Sequence, residues 1–436
     1  MVKILDLAGI GVGPFNLSLA ALLAPIPGVS ACFFERHCKF NWHPGMMLPS
    51  SRMQTSFLKD LVTPVDPTNN YSFLSYLVSK GKLYRFINAD FPRVKRVEFA
   101  DYLRWVAESL PNLKFEQDIR EVVFDQGGFV LYSNNGHHLR CRNVVVATGL
   151  VPDVPPWAEG HIGQCLVHCH TYTNTNISFK NQNIVIIGGG QSGAEVFLDL
   201  ITGGKGDVKQ VTWISRRPGL DPLDETAFTN EYFTPDYVRH FHRLPHSLKP
   251  AIVSAQKLTG DGVSPITLQE LSQYLYEHDC LGSQGCSYRI MTHRDVRMVK
   301  KEKNKFQLQM HNGFTHREET VTTDLIILAT GYRYIFPSFL KPIADRMARD
   351  EEGYPLLAED YSAAFDGPPS CRIYMQNAGR NSHGIADAQL SLAAWRSAVI
   401  INSLLGREVY NTNACPSPLQ WAEPWQIGRS EFRKAI

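Results

Sequence analysis

No two of the nine cysteines form a Cys-x-x-Cys pair, and the odd set at positions 32, 38, 141, 165, 169, 280, 286, 371 and 415 gives no disulfide framework. Dithiol redox chemistry and a secreted, cross-linked fold are both disfavoured, and the cytoplasm is the expected compartment. Cys165, His168, Cys169 and His170 have no second ligand pair at zinc-like spacing, so no metal is expected. An excess of charge is missing too: Lys plus Arg number 44 and Asp plus Glu 42, for a net charge of +2. Such a balance gives no long-range attraction to nucleic acid or to an anionic membrane. Long hydrophobic runs are also absent. The apolar stretch at 17–23 stops at Pro25 and Pro27, too short to span a bilayer, and the chain opens on a strand-like run rather than a charged leader.

What remains is an ordinary globular composition, 44% hydrophobic and 20% charged over 436 residues, enough for two or three domains. Residues 4–34 read strand, turn, helix, strand. The turn carries Gly11, Gly13, Pro14 and Asn16, and the second strand ends at Glu35. Gly11 permits a tight turn, and Gly13 lets the backbone approach a pyrophosphate seated on the helix amides. Glu35 falls where a carboxylate accepts from ribose hydroxyls, and Asn16 stands in place of the third glycine of the dinucleotide fingerprint.

The pattern recurs after a strand at 183–187, with Gly188, Gly190, Gln191, Ser192 and Gly193 opening a helix. Its second strand ends at Arg216 and Arg217 instead of a carboxylate. A carboxylate repels a 2′-phosphate and arginine binds one, so this unit favours NADPH over NADH, unless the pair simply decorates a surface loop. Each unit is followed by a β-branched strand ending in Ala-Thr-Gly: Ala147, Thr148 and Gly149, then Ala329, Thr330 and Gly331, with Tyr332 next. An acidic first site and a basic second one imply FAD in the first, NADPH in the second, and hydride transfer between them.

The expected fold is therefore α/β, with two Rossmann-like dinucleotide-binding domains and a small, mostly helical insertion. Residues 1–178 form the first part of the FAD-binding domain and 179–324 the NADPH-binding domain. The insertion occupies about 221–283, and 325–436 returns to the FAD domain. The insertion is rich in aromatic, His and Pro residues and is placed to shape a substrate pocket. The helical pattern at 267–277 and the basic run at 297–305 read as solvated faces.

Several longer runs resemble the bacterial lysine and ornithine N-hydroxylases of siderophore synthesis. They are Phe40-Asn41-Trp42-His43-Pro44-Gly45-Met46, the stretch from Met53 and Gln54 to Lys59 and Leu61, and Tyr71 to Leu77. Tyr102 to Trp105, Phe228 to Pro235 around Asn230, and His383 to Leu392 complete the set. They follow the family's order over about 5–400, and Gly260-Asp261-Gly262 favours the lysine branch. The resemblance implies that NADPH reduces FAD and that the reduced flavin uses O2 to hydroxylate an unprotonated primary amine. Trp42, His43, Met46 and Gln54 then line the isoalloxazine, and Lys59 pairs with a substrate carboxylate. Asn230 contacts the substrate or its amine end. Leu390 and Ser391 place a backbone carbonyl and a hydroxyl near flavin and amine. Gln54, Asn230 and Ser391 are the catalytic candidates.

Plainer readings stand beside these: Trp42 as a core aromatic, Lys59 as a solvated lysine, Asn230 as a cap, and Asp387 as the N-cap of a helix over 389–400 rather than a flavin contact. The expected substrate is L-lysine, or a diamine such as cadaverine or putrescine; histamine and ornithine are alternatives. A different class, an NADPH-dependent flavin oxidase or reductase with a non-amine substrate, is told apart by peroxide release without an amine product. Family analogy suggests a homodimer or homotetramer.

Overall fold

Leu7 and Ala8 have no exposed surface and Ile10 almost none, the near-continuous burial of a parallel strand covered on both faces. This strand, Leu5–Ile10, lies in parallel between Ala31–Phe34 and His138–Val146. A computed structural model describes residues 4–163, 165–282 and 285–421 of the chain. Leu113–Lys114 extends one edge of this first sheet, and Gly128–Ser133 with Ile119–Asp125 adds an antiparallel hairpin on the other. Ile373–Met375, from near the far end of the chain, pairs in parallel with His138–Val146 and completes seven strands. Helices Pro14–Leu23 and Ala393–Leu405 share its largest core cluster, through Leu17, Ala20, Ala394 and Ile400.

A second, wholly parallel sheet runs Ser287–Met291, Gln210–Ile214, Asn183–Ile187, Leu325–Leu328 and Leu166–His168. Helix Gln191–Ile201 covers one face. The other carries a three-stranded antiparallel sheet, Arg294–Glu302, Lys305–Asn312 and Arg317–Thr323, whose Val296, Val299 and Leu308 pack against Val185 and Ile326. The basic run at 297–305 lies on this small sheet with its Lys and Arg side chains in solvent, while Val299 turns inward.

The sheets correct the expected boundaries. Leu166–His168 pairs with Leu325–Leu328, so a strand expected in 1–178 and one expected in 325–436 both belong to the second sheet. The chain crosses between the units at Val151–Pro152 and again at Tyr332–Arg333, and those two segments pair antiparallel. Two crossings held side by side make the seam, which long-range strand pairing fixes and local pattern does not show. Between Gln210–Ile214 and Ser287–Met291 the described residues are mainly helical, including Pro235–Arg243, Lys249–Ala255 and Pro265–Cys280. The expected insertion limit at 283 and the segment 422–436 lie outside the described residues. Among the described residues no helix is long and apolar enough to cross a membrane.

Candidate active site

The first glycine turn is forced by a close backbone approach. Gly11 has φ +86°, and a Cβ there would stand 2.7 Å from the Ala147 carbonyl oxygen. Gly13 is the N-cap of helix Pro14–Leu23 without a side-chain cap, and Pro14 occupies the first turn. Among the described residues the first amides of the helix thus have no side-chain cap, the condition under which a helix N-terminus takes a phosphate. Glu35 accepts from the Val12 amide at 2.9 Å and the His37 amide at 3.0 Å. Its carboxylate shapes the loop and has acceptor capacity left for a sugar hydroxyl.

The second turn repeats this construction. Gly188 has φ +132°, and its Cβ would lie 2.0 Å from the Ala329 carbonyl oxygen. Gly190 begins helix Gln191–Ile201, again with no side-chain cap. The two turns also explain why Asn16 replaces a glycine. A Cβ on Gly193, the matching position, would come within 2.1 Å of the Gly188 carbonyl, which already accepts from the Trp213 indole at 2.8 Å. Among the described residues no tryptophan does this in the first unit. Instead Asn16 donates to the Gly11 carbonyl at 2.7 Å and accepts from Gln376 at 2.8 Å. Asn16 is a built part of the loop, not a weakened match.

Arg216 is exposed at the strand end, whereas Arg217 donates to the Asp261 carbonyl at 3.0 Å and lies 4.0 Å from the Asp221 carboxylate. The structure thus leaves Arg216 as the freer guanidinium of the pair. Gln191 is also committed: it accepts from the Ser264 amide at 2.7 Å and donates to Glu195 at 2.9 Å.

Residues 42–46 form the loop between the units. His43 sits in the left-handed region at φ 45°, an unusual backbone for a non-glycine residue. Its ring meets Trp42 at 5.2 Å and Tyr332 at 6.3 Å, and Trp42 lies 6.0 Å from Phe99. His43 keeps accessible surface although protein surrounds it, as expected of a cleft wall. Desolvation, with Arg96 second, lowers its pKa to about 4, so it is neutral in this cleft. Gly45 has no room for a side chain, since its Cβ would fall 1.8 Å from the His170 carbonyl oxygen. That approach, with Thr173 donating to the Pro44 carbonyl at 2.6 Å, docks the loop on the segment entering the second sheet.

His168 adjoins that segment, and the sequence singled it out only as part of a metal pattern. Its Nδ1 accepts from the His170 amide at 3.2 Å, so its proton resides on Nε2, which donates to the Gly331 carbonyl at 3.1 Å. Gly331 also accepts from the Asp153 amide at 2.9 Å, and the Tyr332 ring lies 5.3 Å from His168. Desolvation, then His170, pushes the His168 pKa down to about 4. A histidine whose folded pKa is lowered is neutral in both states above the unfolded value near 6.5. As pH falls towards 4 the unfolded chain gains the proton first. Wild type should therefore lose on the order of 3 kcal/mol through this one group over that window. His168→Gln should flatten that dependence in urea unfolding at pH 7.5 and 4.5. An unchanged slope would refute the assignment.

Among the described residues, the half-buried Gln54 has no partner for its Nε2 and the buried Ser391 none for its Oγ. Leu390 packs on Phe15, Ala147 and Ala393, which places its turn against the first glycine loop. Asp387 is not a helix N-cap. It lies in the short turn Ile385–Ala388, accepts from the Gly379 amide at 2.8 Å and sits 3.3 Å from the fully buried Arg396, while the following helix starts at Ala393. Burial raises the Asp387 pKa against the pull of Arg396. Its partners are tertiary, which a local capping pattern cannot reveal.

Lys59 is half-buried, and desolvation followed by the nearby Arg93 disfavours its charge, opposed by Glu231. Arg93 pairs with Glu225 at 3.4 Å, and exposed Asn230 donates to the Glu225 carbonyl at 3.2 Å. Asn230 does not cap helix Pro235–Arg243; Thr234 does. Lys59, Arg93, Glu225, Asn230 and Glu231 thus form a mixed-charge group where the first unit meets the helical insertion.

Residues 3–334 match the model of the family described as L-lysine 6-monooxygenase/L-ornithine 5-monooxygenase. The chain is 36% identical to L-lysine N6-monooxygenase of Escherichia coli over 97% of its own length and 99% of that protein. Its structure superposes with TM-score 0.91 on an FAD-bound cadaverine monooxygenase of desferrioxamine biosynthesis from Erwinia amylovora, at 30% identity over 98% and 100% of the two chains. An ornithine N-hydroxylase from Kutzneria sp. 744 holding reduced FAD, NADP+ and L-ornithine gives TM-score 0.85 at 27% identity, over 93% and 99% of the chains.

Proposed function

The chain belongs to the L-lysine 6-monooxygenase/L-ornithine 5-monooxygenase family, and from that premise we propose that it hydroxylates the side-chain amine of L-lysine, with cadaverine and putrescine as its next substrates, to supply a siderophore pathway. As a member it is an FAD- and NADPH-dependent N-hydroxylating monooxygenase. FAD held there would supply, with NADPH and O2, the chemistry that puts one oxygen atom on the amine and leaves the other as water.

Gly11, Gly13, Pro14 and Asn16 would hold the FAD pyrophosphate on uncapped helix amides, with Glu35 on its ribose. Trp42, His43, Met46, Gln54, Thr148, Gly149 and Leu390 would line the ring, and Asp387 would act through the turn it braces. Gly188, Gly190, Gln191, Ser192 and Gly193 would cradle the NADPH pyrophosphate, Arg216 and Arg217 its 2′-phosphate, and the turn Ala329, Thr330, Gly331 and Tyr332 its nicotinamide side. An alkylammonium has no lone pair, so the pocket must take a neutral amine. The orphaned Gln54 Nε2 and Ser391 Oγ fit that need: an N–H or O–H donor facing nitrogen favours the neutral form.

Lys59 carries the choice of substrate. Its ammonium is half-buried and disfavoured by desolvation and by Arg93, so a substrate α-carboxylate would relieve it, and Glu231 would face the α-ammonium. A diamine offers no such anion. NADPH-dependent hydroxylamine formation, compared across L-lysine, L-ornithine, cadaverine, putrescine and histamine, should show kcat/KM for lysine about tenfold or more above cadaverine. Equal values would remove the argument from Lys59, and peroxide without any amine-dependent product would favour an NADPH oxidase. The proposal extends to the cytoplasm, where nine unpaired thiols and an NADPH supply are at home, and to a dimeric or tetrameric assembly by family analogy.

A further inference from the structure

Arg96 opens helix Arg96–Ser109 where the two nucleotide units meet. One end of its guanidinium donates to the Met46 carbonyl at 3.1 Å, on the loop that holds Trp42 and His43. The fork also engages both oxygens of Glu195, at 3.2 and 3.1 Å. Glu195 belongs to helix Gln191–Ile201, and only 3% of its side chain is exposed. One turn earlier Gln191, the residue after Gly190, donates to the same carboxylate at 2.9 Å. A continuous set of hydrogen bonds therefore runs from the flavin-side loop to the start of the helix that follows the second glycine turn.

Stability alone does not account for the charge. The neighbours of Glu195 on its helix, Ala194, Val196, Phe197 and Leu198, are buried and apolar, and a fitted apolar side chain there would avoid desolvating two ions. A bidentate fork instead fixes distance and angle between two elements. We propose that Arg96 and Glu195 are positioning residues that set the register of the NADPH-binding unit on the flavin-binding unit, and so the approach of the nicotinamide to the flavin. This depends on the assignment of FAD and NADPH and not on which amine is hydroxylated, so it stands or falls separately from the substrate.

The test uses Arg96→Lys, Glu195→Gln and the charge-exchanged Arg96→Glu/Glu195→Arg protein, each purified with FAD. Anaerobic flavin reduction by NADPH should slow about tenfold in the single variants, with a changed isotope effect for NADPH deuterated at the transferred position, because small misplacements of reacting atoms carry large rate penalties. Reduction by dithionite, which needs no register, should stay at the wild-type rate per bound flavin. NADP+ affinity, read from the perturbed flavin spectrum, should change less than about threefold. Hydrogen exchange in helix Gln191–Ile201 should rise, and the exchanged pair should recover part of the NADPH rate. Wild-type NADPH reduction in Arg96→Lys would overturn the proposal. So would parallel loss of NADPH and dithionite reduction, or lower FAD content with unchanged rates per flavin, since either marks a brace without a role in register.

Discussion

Gly188→Ala is expected to lower flavin reduction by NADPH at least about 100-fold while the protein still holds FAD. Two independent obstacles meet at this residue. Its φ of +132° lies where an L side chain is strained, and the added Cβ would stand 2.0 Å from the Ala329 oxygen, a backbone atom of the adjoining strand turn. Ordinary contact needs roughly 3.4 Å or more, so the turn and the strand end must separate by over an ångström. The Gly188 amide donates to the Ile214 carbonyl at 2.9 Å, and its carbonyl accepts from Trp213, so any shift also breaks the bonds that hold the turn. Together these cost on the order of 3 kcal/mol or more. The first sheet shares no strand with the second, and flavin retention after gel filtration should be preserved. Gly203→Ala serves as the control: φ is +84° but nothing lies within 4 Å, so only about 1 kcal/mol of backbone strain is expected. Stopped-flow bleaching by NADPH decides the matter, and a Gly188→Ala protein reduced at the wild-type rate would contradict the reading of this turn.

Both glycine turns were legible because their chemistry is local: glycine, helix start and strand end lie within about 30 residues. The Rossmann-like class followed from them, and Arg216 and Glu35 stood at strand ends where the pattern put them. What escaped depended on residues far apart in sequence. Arg96 and Glu195 are 99 positions apart, and Asn16 and Gln376 are 360 apart. Neither pair has a spacing that a periodicity reveals, and a charged residue at the start of a helix looks like any solvated one. His168 was visible only as part of an unfilled metal pattern, whereas its two hydrogen bonds show it joining the unit seam. Asp387 failed for the opposite reason. It precedes a helical pattern as a cap would, and only the tertiary position of Arg396 and the Gly379 amide draws its carboxylate elsewhere. The three-stranded sheet at 294–323 was missed because charge on its outer face masked the inward Val296, Val299 and Phe306.

Lys59→Ala should divide the substrates by their carboxylates. A partly desolvated ion pair to a ligand is worth about 3 kcal/mol when one partner is removed, so the KM for L-lysine should rise roughly 100-fold. Cadaverine has the same reacting amine and chain but no carboxylate, and its KM should change less than about threefold. The sign for cadaverine is informative, since deleting Lys59 removes a cation that repels its distal ammonium and leaves Glu231 in place. Its KM should hold or fall. The substitution lies in the proposed amine-binding group and not in either glycine turn, so NADPH should bleach the flavin at the wild-type rate. Truncation also spares the fold: Lys59 is half-buried, its backbone bond to the Ser56 carbonyl at 3.0 Å is untouched, and adjacent Asp60 keeps its bonds to Val62 and Thr63. Steady-state hydroxylamine formation against both amines gives the two KM values. A parallel rise for lysine and cadaverine would mean that Lys59 supports the pocket without reading the α-carboxylate, and the preference for an amino acid over a diamine would lose its physical basis.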